Sequence, residues 1–92
     1  MPQVFKIGAY LVYFWSNEGD PLEPVHVHVC LGIPSAGATK IWITQAQKCY
    51  LCNNNSKIPD RTLRNIIKII EARSSEIIDK WIAYFGQISY FC

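Results

Sequence analysis

The sequence is short of charged residues and of long hydrophobic runs, and each shortage excludes a class of protein. Only 17% of its 92 residues are charged, whereas 50% are hydrophobic. This excludes an intrinsically disordered chain, because disorder requires few apolar residues and much charge. The longest apolar run, Ala9–Trp15, has seven residues, whereas a membrane-spanning helix needs about 20. We therefore expect one globular domain over residues 1–92, since either half alone is too small to bury a core.

The sequence also lacks an export signal and a strong charge imbalance. No basic segment leads into a long apolar stretch, as it does in a signal peptide, so we expect a cytoplasmic protein that does not bind a membrane. The formal net charge of +2 neither requires nor excludes a polyanionic partner. In a reducing compartment the four cysteines are expected to stay free and to form no disulfide framework.

The chain from about residue 3 to residue 52 has the pattern of an antiparallel sheet of four to five strands. Short runs rich in β-branched and aromatic residues alternate there with turn-forming residues. The predicted strands are Val4–Ile7, Tyr10–Ser16, Val25–Leu31, Ala38–Thr44 and Cys49–Cys52. A dense cluster of turn formers, Asn17–Pro21, opens the loop between the second strand and the third.

The last third of the chain has the pattern of one long helix over about residues 59–85. Apolar residues recur there every three or four positions, which places them on one helix face. They are Leu63, Ile66, Ile67, Ile70, Ile77, Ile78, Trp81 and Phe85. Pro59 suits the first helical position, and Gly86 suits the C-terminal stop. The predicted fold class is therefore α+β, with this helix packed on one face of the sheet.

A sheet with a helix on one face leaves its other face open. Side chains alternate along a strand, so the valines of the third strand should meet the helix, and His26 and His28 should lie on the open face. We expect this face also to carry Tyr13, Trp15, Lys40 and Trp42. Because large exposed aromatic patches mark interfaces, the open face is predicted to bind a partner or, as a homodimer, a second copy of the chain.

His26 and His28 are the most distinctive candidates for chemistry. Two histidines two positions apart on a strand lie side by side. They could be metal ligands, an acid and a base for RNA cleavage, hydrogen-bond donors to an anion, or structural residues. Cys49 and Cys52 could complete a Cys₂His₂ zinc site. Residues three apart on a strand point to opposite faces, however, so we favour no metal and predict no cofactor.

Three basic residues, Arg61, Arg64 and Lys68, form a stripe at the start of the predicted helix. A solvated helix face explains the stripe most simply, and a surface that binds RNA or an acidic partner is the alternative. The sequence contains no nucleophile elbow and no phosphate-binding loop. Whether the protein is an enzyme stays open.

Several motifs together carry a family resemblance. They are Phe-Trp-Ser-Asn-Glu-Gly at residues 14–19, Glu-Pro-Val-His-Val-His-Val at residues 23–29, and a closing helix that includes Glu-Ile-Ile-Asp-Lys-Trp at residues 76–81. The chain resembles the small bacterial proteins grouped as domain of unknown function 4160. Val25 stands where a second proline is common in that family. The Cys-x-x-Cys is not part of the family pattern, and the resemblance implies that His26 and His28 are the best site candidates.

The resemblance implies a function in general terms only. Such proteins are often encoded beside a second small domain, of unknown function 2442, in an arrangement that looks like a toxin–antitoxin pair. We therefore expect an interaction protein that binds a small protein encoded nearby through the open sheet face. The alternative is a metal-independent ribonuclease-type toxin that uses His26 and His28 as acid and base, with RNA as its partner.

Overall fold

A computed structural model of the protein describes residues 2–18 and 21–92. Its five strands are β1 (Gln3–Ile7), β2 (Tyr10–Tyr13), β3 (His26–Leu31), β4 (Thr39–Ile43) and β5 (Cys49–Asn53). Each strand pairs antiparallel with its neighbour in sequence, so the sheet order is β1-β2-β3-β4-β5. The five-stranded sheet and the α+β class are confirmed. Two residues of the predicted turn cluster, Gly19 and Asp20, lie outside the described residues.

Strand β3 lies at the centre of the sheet and carries both histidines. His28 is paired with Tyr13 on β2 and with Lys40 on β4. His26 is paired with Trp42 on β4. Because paired residues share a face of the sheet, the register gathers these side chains on the same face, as the alternation in the sequence predicted.

The helical region consists of two helices, so the prediction of one long helix is corrected. Helix α1 (Asp60–Ala72) ends and helix α2 (Ser74–Phe85) begins at Arg73, whose φ of −112° and ψ of 20° are not helical. Ser74 and Ser75 follow, and serine is a weak helix former. One straight helix of this length would measure about 40 Å, whereas the largest extent of the molecule is 33 Å. The break therefore keeps both helices over the sheet.

Helix α2 ends at the glycine that the sequence predicted. Gly86 adopts a left-handed φ of 77°, which costs glycine little because it has no Cβ. Its N–H donates a hydrogen bond to the carbonyl oxygen of Ile82 at 2.7 Å. Within residues 2–18 and 21–92, neither helix combines the length and the hydrophobicity that crossing a membrane requires.

The helices cover one face of the sheet with an apolar core. Val27 and Val29 of β3 are fully buried, as is Val25 just before the strand. Ile41 and Ile43 of β4 are fully buried with them. They pack with residues of both helices, Leu63, Ile66, Ile70, Ile77 and Trp81. Burying each such side chain contributes about 1.5–3 kcal/mol. The predicted contact between the valines and the helical region is confirmed.

Residues 87–92 close one end of the sheet. The N–H of Val25 donates to the carbonyl oxygen of Ser89, and the N–H of Gln45 donates to that of Cys92, both at 2.9 Å. The ring of Phe91 stacks on Trp42 with 4.9 Å between centroids. Residues 87–92 therefore run from the helix layer to the opposite face of the sheet. On the way they pass the end of β3 that carries His26.

The face opposite the helices is largely covered, so the prediction that it is open is wrong in part. Tyr13 has no exposed surface, and Trp15 is half-buried. These two residues form a second small cluster with Leu11, Cys30 and Ala38. The hydroxyl of Tyr13 donates to the carbonyl oxygen of Ser35 at 3.0 Å. The loop that follows β3 thus folds back against β2, which the local sequence pattern does not show.

Candidate functional site

The two histidines are buried and share one partner, Glu18. The exposed fraction is 0% for His26 and 4% for His28. The Oε2 atom of Glu18 lies 2.5 Å from Nε2 of His26 and 2.9 Å from Nε2 of His28. We call these three residues the Glu-His-His cluster. The predicted exposure of the histidines is wrong, because the residues after β2 fold over them.

A short 3₁₀ turn, Ser16–Glu18, positions the carboxylate. The N–H of Trp15 donates to Oε1 of Glu18 at 2.6 Å, and the N–H of Glu18 donates to the carbonyl oxygen of Trp15 at 3.2 Å. On the other side, the N–H of Glu23 donates to the carbonyl oxygen of Glu18 at 2.9 Å. One carboxylate oxygen is thereby held by backbone, and the other is left for the histidines.

Each histidine ring is oriented by a backbone carbonyl. Nδ1 of His26 lies 2.8 Å from the carbonyl oxygen of Pro24, and Nδ1 of His28 lies 3.4 Å from that of Ala38. A carbonyl oxygen only accepts hydrogen bonds, so the Nδ1 atom of His26, 2.8 Å from the Pro24 oxygen, carries a hydrogen. The 3.4 Å contact of His28 is longer than an ordinary N–H···O bond and does not determine its tautomer. Both Nε2 atoms face the same oxygen of Glu18.

The electrostatics of the cluster require positive charge between its three groups. Burial by itself raises the pKa of the Glu18 carboxyl, but hydrogen bonds with His26 and His28, assisted by the Trp15 N–H, hold that pKa well below its usual range. The carboxylate is therefore ionised at neutral pH. Buried anions and lone pairs that face one another are costly. Either protons on the Nε2 atoms or a bound cation must hold the cluster together.

Aromatic rings surround the histidines and restrict their motion. Tyr13 stacks on His28 with 5.5 Å between ring centroids. Trp42 and Trp81 meet the His26 ring edge-on, at 5.4 Å and 5.3 Å. Because these neighbours are large and closely packed, the histidines have few alternative rotamers, and their Nε2 atoms are held in place before any ligand arrives.

A cavity of about 570 Å³ lies beside the cluster. Its lining residues are Trp15, Ser16, Asn17, Glu18, Glu23 and Ala36. Glu18 is the residue that the cavity and the cluster share. The carboxylate of Glu23 is engaged by Lys40, at 3.0 Å from its Nζ atom. The cavity therefore gives small molecules a route to the Glu18 side of the cluster.

The predicted basic residues do not join the histidines. Arg61, Arg64 and Lys68 are exposed on α1, in the helix layer on the other side of the sheet. Lys40 lies on the histidine side, with Nζ 4.3 Å from the centre of the Trp42 ring. Of the predicted basic residues, only Lys40 is near the cluster, and it is already paired with Glu23.

The two cysteines proposed as zinc ligands also lie away from the histidines. Cys49 packs against the core under the helices, with its sulfur 3.9 Å from the carbonyl oxygen of Ile67. Burial, reinforced by the charge of Glu71, raises the pKa of the Cys49 thiol to about 12. Cys52 is exposed. In the described part of the chain, residues that could hold a metal ion come together at Glu18, His26 and His28.

Glu18 is the site residue that the sequence did not single out. It lies inside the Phe-Trp-Ser-Asn-Glu-Gly motif, in the turn that precedes the histidine strand. An acidic residue at that place is a signal that could have found it. Its contact with both histidines depends on the path of the connection between β2 and β3, however, and local patterns do not determine that path.

Comparison with known proteins gives one match. A family model described as "Domain of unknown function (DUF4160)" matches residues 9–82. The match spans all three residues of the Glu-His-His cluster and most of both helices. No curated protein and no solved structure matches the chain.

Proposed function

The chain belongs to the family of the domain of unknown function DUF4160, and from that premise we propose that it is a cytoplasmic interaction protein of a toxin–antitoxin-like two-gene system. Its partner is a small protein encoded nearby. The binding surface is the sheet face opposite the helices. Since the family assigns no activity, support for the proposal comes from the surface of this chain.

A group of aromatic residues on that face, two of them exposed and Trp42 half-buried, carries the proposal. We call Trp42, Tyr50 and Phe91 the aromatic patch. Phe91 lies 4.9 Å from Trp42 and 5.8 Å from Tyr50, measured between ring centroids. Tyr50 is 55% exposed and Phe91 is 53% exposed. Clustered aromatic surface of this kind is typical of the centre of protein interfaces, where Trp and Tyr contribute most of the binding energy.

The charges near the aromatic patch favour a protein partner over RNA. Lys40 lies over the Trp42 ring and is paired with Glu23, which gives the patch a polar rim with charges of both signs. The basic stripe of Arg61, Arg64 and Lys68 lies in the helix layer. An RNA strand on the patch would therefore find little positive charge for its phosphates, which supply most of the affinity in RNA binding.

A metal-independent ribonuclease remains the alternative, with less support. Both Nε2 atoms face the carboxylate of Glu18, and His26 exposes no surface. A general acid or base must reach the atom whose proton it transfers, so catalysis would require the turn over the histidines to open. RNA cleavage by the purified protein that is lost in His28→Ala, with the fold intact, would favour this alternative.

Binding to the product of the neighbouring gene tests the proposal. We expect the double substitution Tyr50→Ala/Phe91→Ala to weaken binding at least tenfold, on the order of the 2 kcal/mol lost when interface hot-spot residues are truncated. The matched control is Ile82→Ala/Tyr84→Ala, which removes two exposed apolar residues from α2. Calorimetric titration with each purified variant measures the affinity.

Two results would contradict the proposal. If the patch variant and the wild type bind equally, the aromatic patch is not the interface. If only the control variant loses binding, the interface is on the helices. Analytical ultracentrifugation of the free protein covers the homodimer alternative, because a dimer that depends on Tyr50 and Phe91 would assign the patch to a second copy of the chain.

A further inference from the structure

We propose that the Glu-His-His cluster binds a divalent transition-metal ion of the Zn²⁺ class, with its open coordination side toward the cavity. One ligand atom from each of Glu18, His26 and His28 lies within 4.8 Å of the other two. Two imidazole nitrogens and one carboxylate oxygen form a ligand set that suits Zn²⁺ and neighbouring transition metals. The proposal does not rest on partner binding, although the site adjoins the aromatic patch through the contact of Trp42 with the His26 ring.

The orientation of the rings is the first support for the proposal. A metal-binding histidine usually donates its other ring N–H to a carboxylate or a backbone carbonyl, which fixes the tautomer and aims the lone pair at the metal. His26 does this through Pro24 at 2.8 Å, and His28 makes the longer contact with Ala38. The outer hydrogen bond that a metal-binding histidine needs is therefore already made by His26.

The chemistry of the three groups is the second support. A metal ion binds histidine in its neutral form and glutamate in its ionised form. Oε2 of Glu18 lies close to both Nε2 atoms, so one cation between them can bind all three ligand atoms.

The geometry requires a small adjustment of Glu18. Ligand atoms about 2.0–2.1 Å from a tetrahedral ion lie about 3.3 Å from one another. The Glu18 oxygen is 2.5 Å and 2.9 Å from the two Nε2 atoms, so it must withdraw by less than about 1 Å. The two Nε2 atoms, which lie within 4.8 Å of each other, must also stand about 3.3 Å apart around the ion.

The cavity indicates what the metal could bind next. Three protein ligands leave a fourth position open, as in catalytic zinc sites, where water or a substrate occupies it. Glu18 lines the cavity, and the two histidines approach from the buried side. The open position therefore faces the cavity and suits water or another small ligand with an oxygen donor.

Metal binding by the wild-type chain is the first test. The protein is purified without a histidine tag, treated with a chelator and titrated with Zn²⁺. We expect about one ion per chain. Substitution with Co²⁺ should give the spectrum of nitrogen and oxygen ligands without a thiolate charge-transfer band. These readouts need no variant, so they remain decisive if a substitution prevents folding.

Paired variants locate the site. Losing a hydrogen-bond partner of a metal ligand weakens metal binding roughly 10–100-fold. Glu18→Ala and His28→Ala each remove a ligand itself, so each should weaken Zn²⁺ binding by more than that. The matched control is Glu23→Ala, which removes a carboxylate from the same cavity but not from the cluster. It should bind Zn²⁺ as the wild type does. Circular dichroism confirms that each variant is folded.

Three results would overturn the proposal. The first is a folded wild type that binds no Zn²⁺ at micromolar concentrations. The second is a thiolate band in the Co²⁺ spectrum, which would place the metal on cysteine. The third is a loss of binding in Glu23→Ala equal to that in Glu18→Ala. In the first case protons hold the cluster together, and its role is structural.

Discussion

The two faces of the sheet differ in how they are held together, although successive side chains of the same strands point alternately to one face and to the other. The face under the helices is filled with valine and isoleucine, whose burial is favourable in any orientation. The opposite face encloses a carboxylate and two imidazoles, each of which depends on a specific partner. A defect on the first face loses buried area and packing, whereas a defect on the second leaves a polar group without a partner.

The largest effect is expected from truncation on the apolar face. Ile70→Ala should lower the free energy of unfolding by about 2–5 kcal/mol, because it opens a cavity in the core. Ile69→Ala, one position earlier on α1, is the control. Ile69 is partly exposed, whereas Ile70 is fully buried. Ile69→Ala should therefore lower the free energy of unfolding by at least about 1 kcal/mol less than Ile70→Ala does. Urea denaturation of both variants measures the difference, and equal losses would contradict the assignment of the buried helix face.

A smaller loss is expected from truncation in the Glu-His-His cluster. In the presence of a chelator, Glu18→Ala should cost about 1–3 kcal/mol, because it leaves the Trp15 N–H and both rings without their partner. Glu23→Ala breaks only the partly exposed pair with Lys40 and should cost about 0–1 kcal/mol. Thermal unfolding followed by circular dichroism compares the two.

The same variants show whether the faces act independently. Added Zn²⁺ should raise the melting temperature of the wild type and of Ile70→Ala by a similar amount, and should leave that of Glu18→Ala unchanged. Distant sites usually contribute additively. If Ile70→Ala loses the response to Zn²⁺, the cluster depends on the packing of the opposite face, and the two faces do not act independently.

The smallest effect concerns the reactivity of the two thiols on β5. Its measurement leaves both faces of the sheet unchanged. Cys49 lies against the core and the pKa of its thiol is raised to about 12, whereas Cys52 is exposed. Because the thiolate is the reactive form, alkylation of Cys49 at pH 8 should be at least about 100-fold slower than that of Cys52. Mass spectrometry of the labelled peptides measures both rates, and similar rates would show that Cys49 is not covered by α1.

Much of the fold could be predicted because its signals are local. The alternation of valine and histidine in β3 determined which residues meet the helices. The recurrence of isoleucine every three or four residues placed the helical region correctly. The break at Arg73 was missed because the apolar periodicity continues across it. The adjacent Ser74 and Ser75 were a visible sign of a weak point in the helix.

The candidate site was predicted only in part, because its completion is not local. The spacing of His26 and His28 was sufficient to predict that their side chains lie on the same face of β3. Their burial was not predictable in this way, since it results from the turn that carries Glu18 and folds over both rings. The position of this turn depends on the path of the chain outside the strands, where no periodic pattern reports which side chains will meet.

The pairing of each strand with its sequence neighbour also has a consequence for the order of folding. Contacts between neighbouring segments close short loops, so a meander of this kind has a low contact order and forms rapidly. The hydrogen bond from Val25 to Ser89 joins segments that are far apart in the sequence. We therefore expect the sheet to assemble first and residues 87–92 to dock last, so that the stacking of Phe91 on Trp42 forms only in the final step of folding.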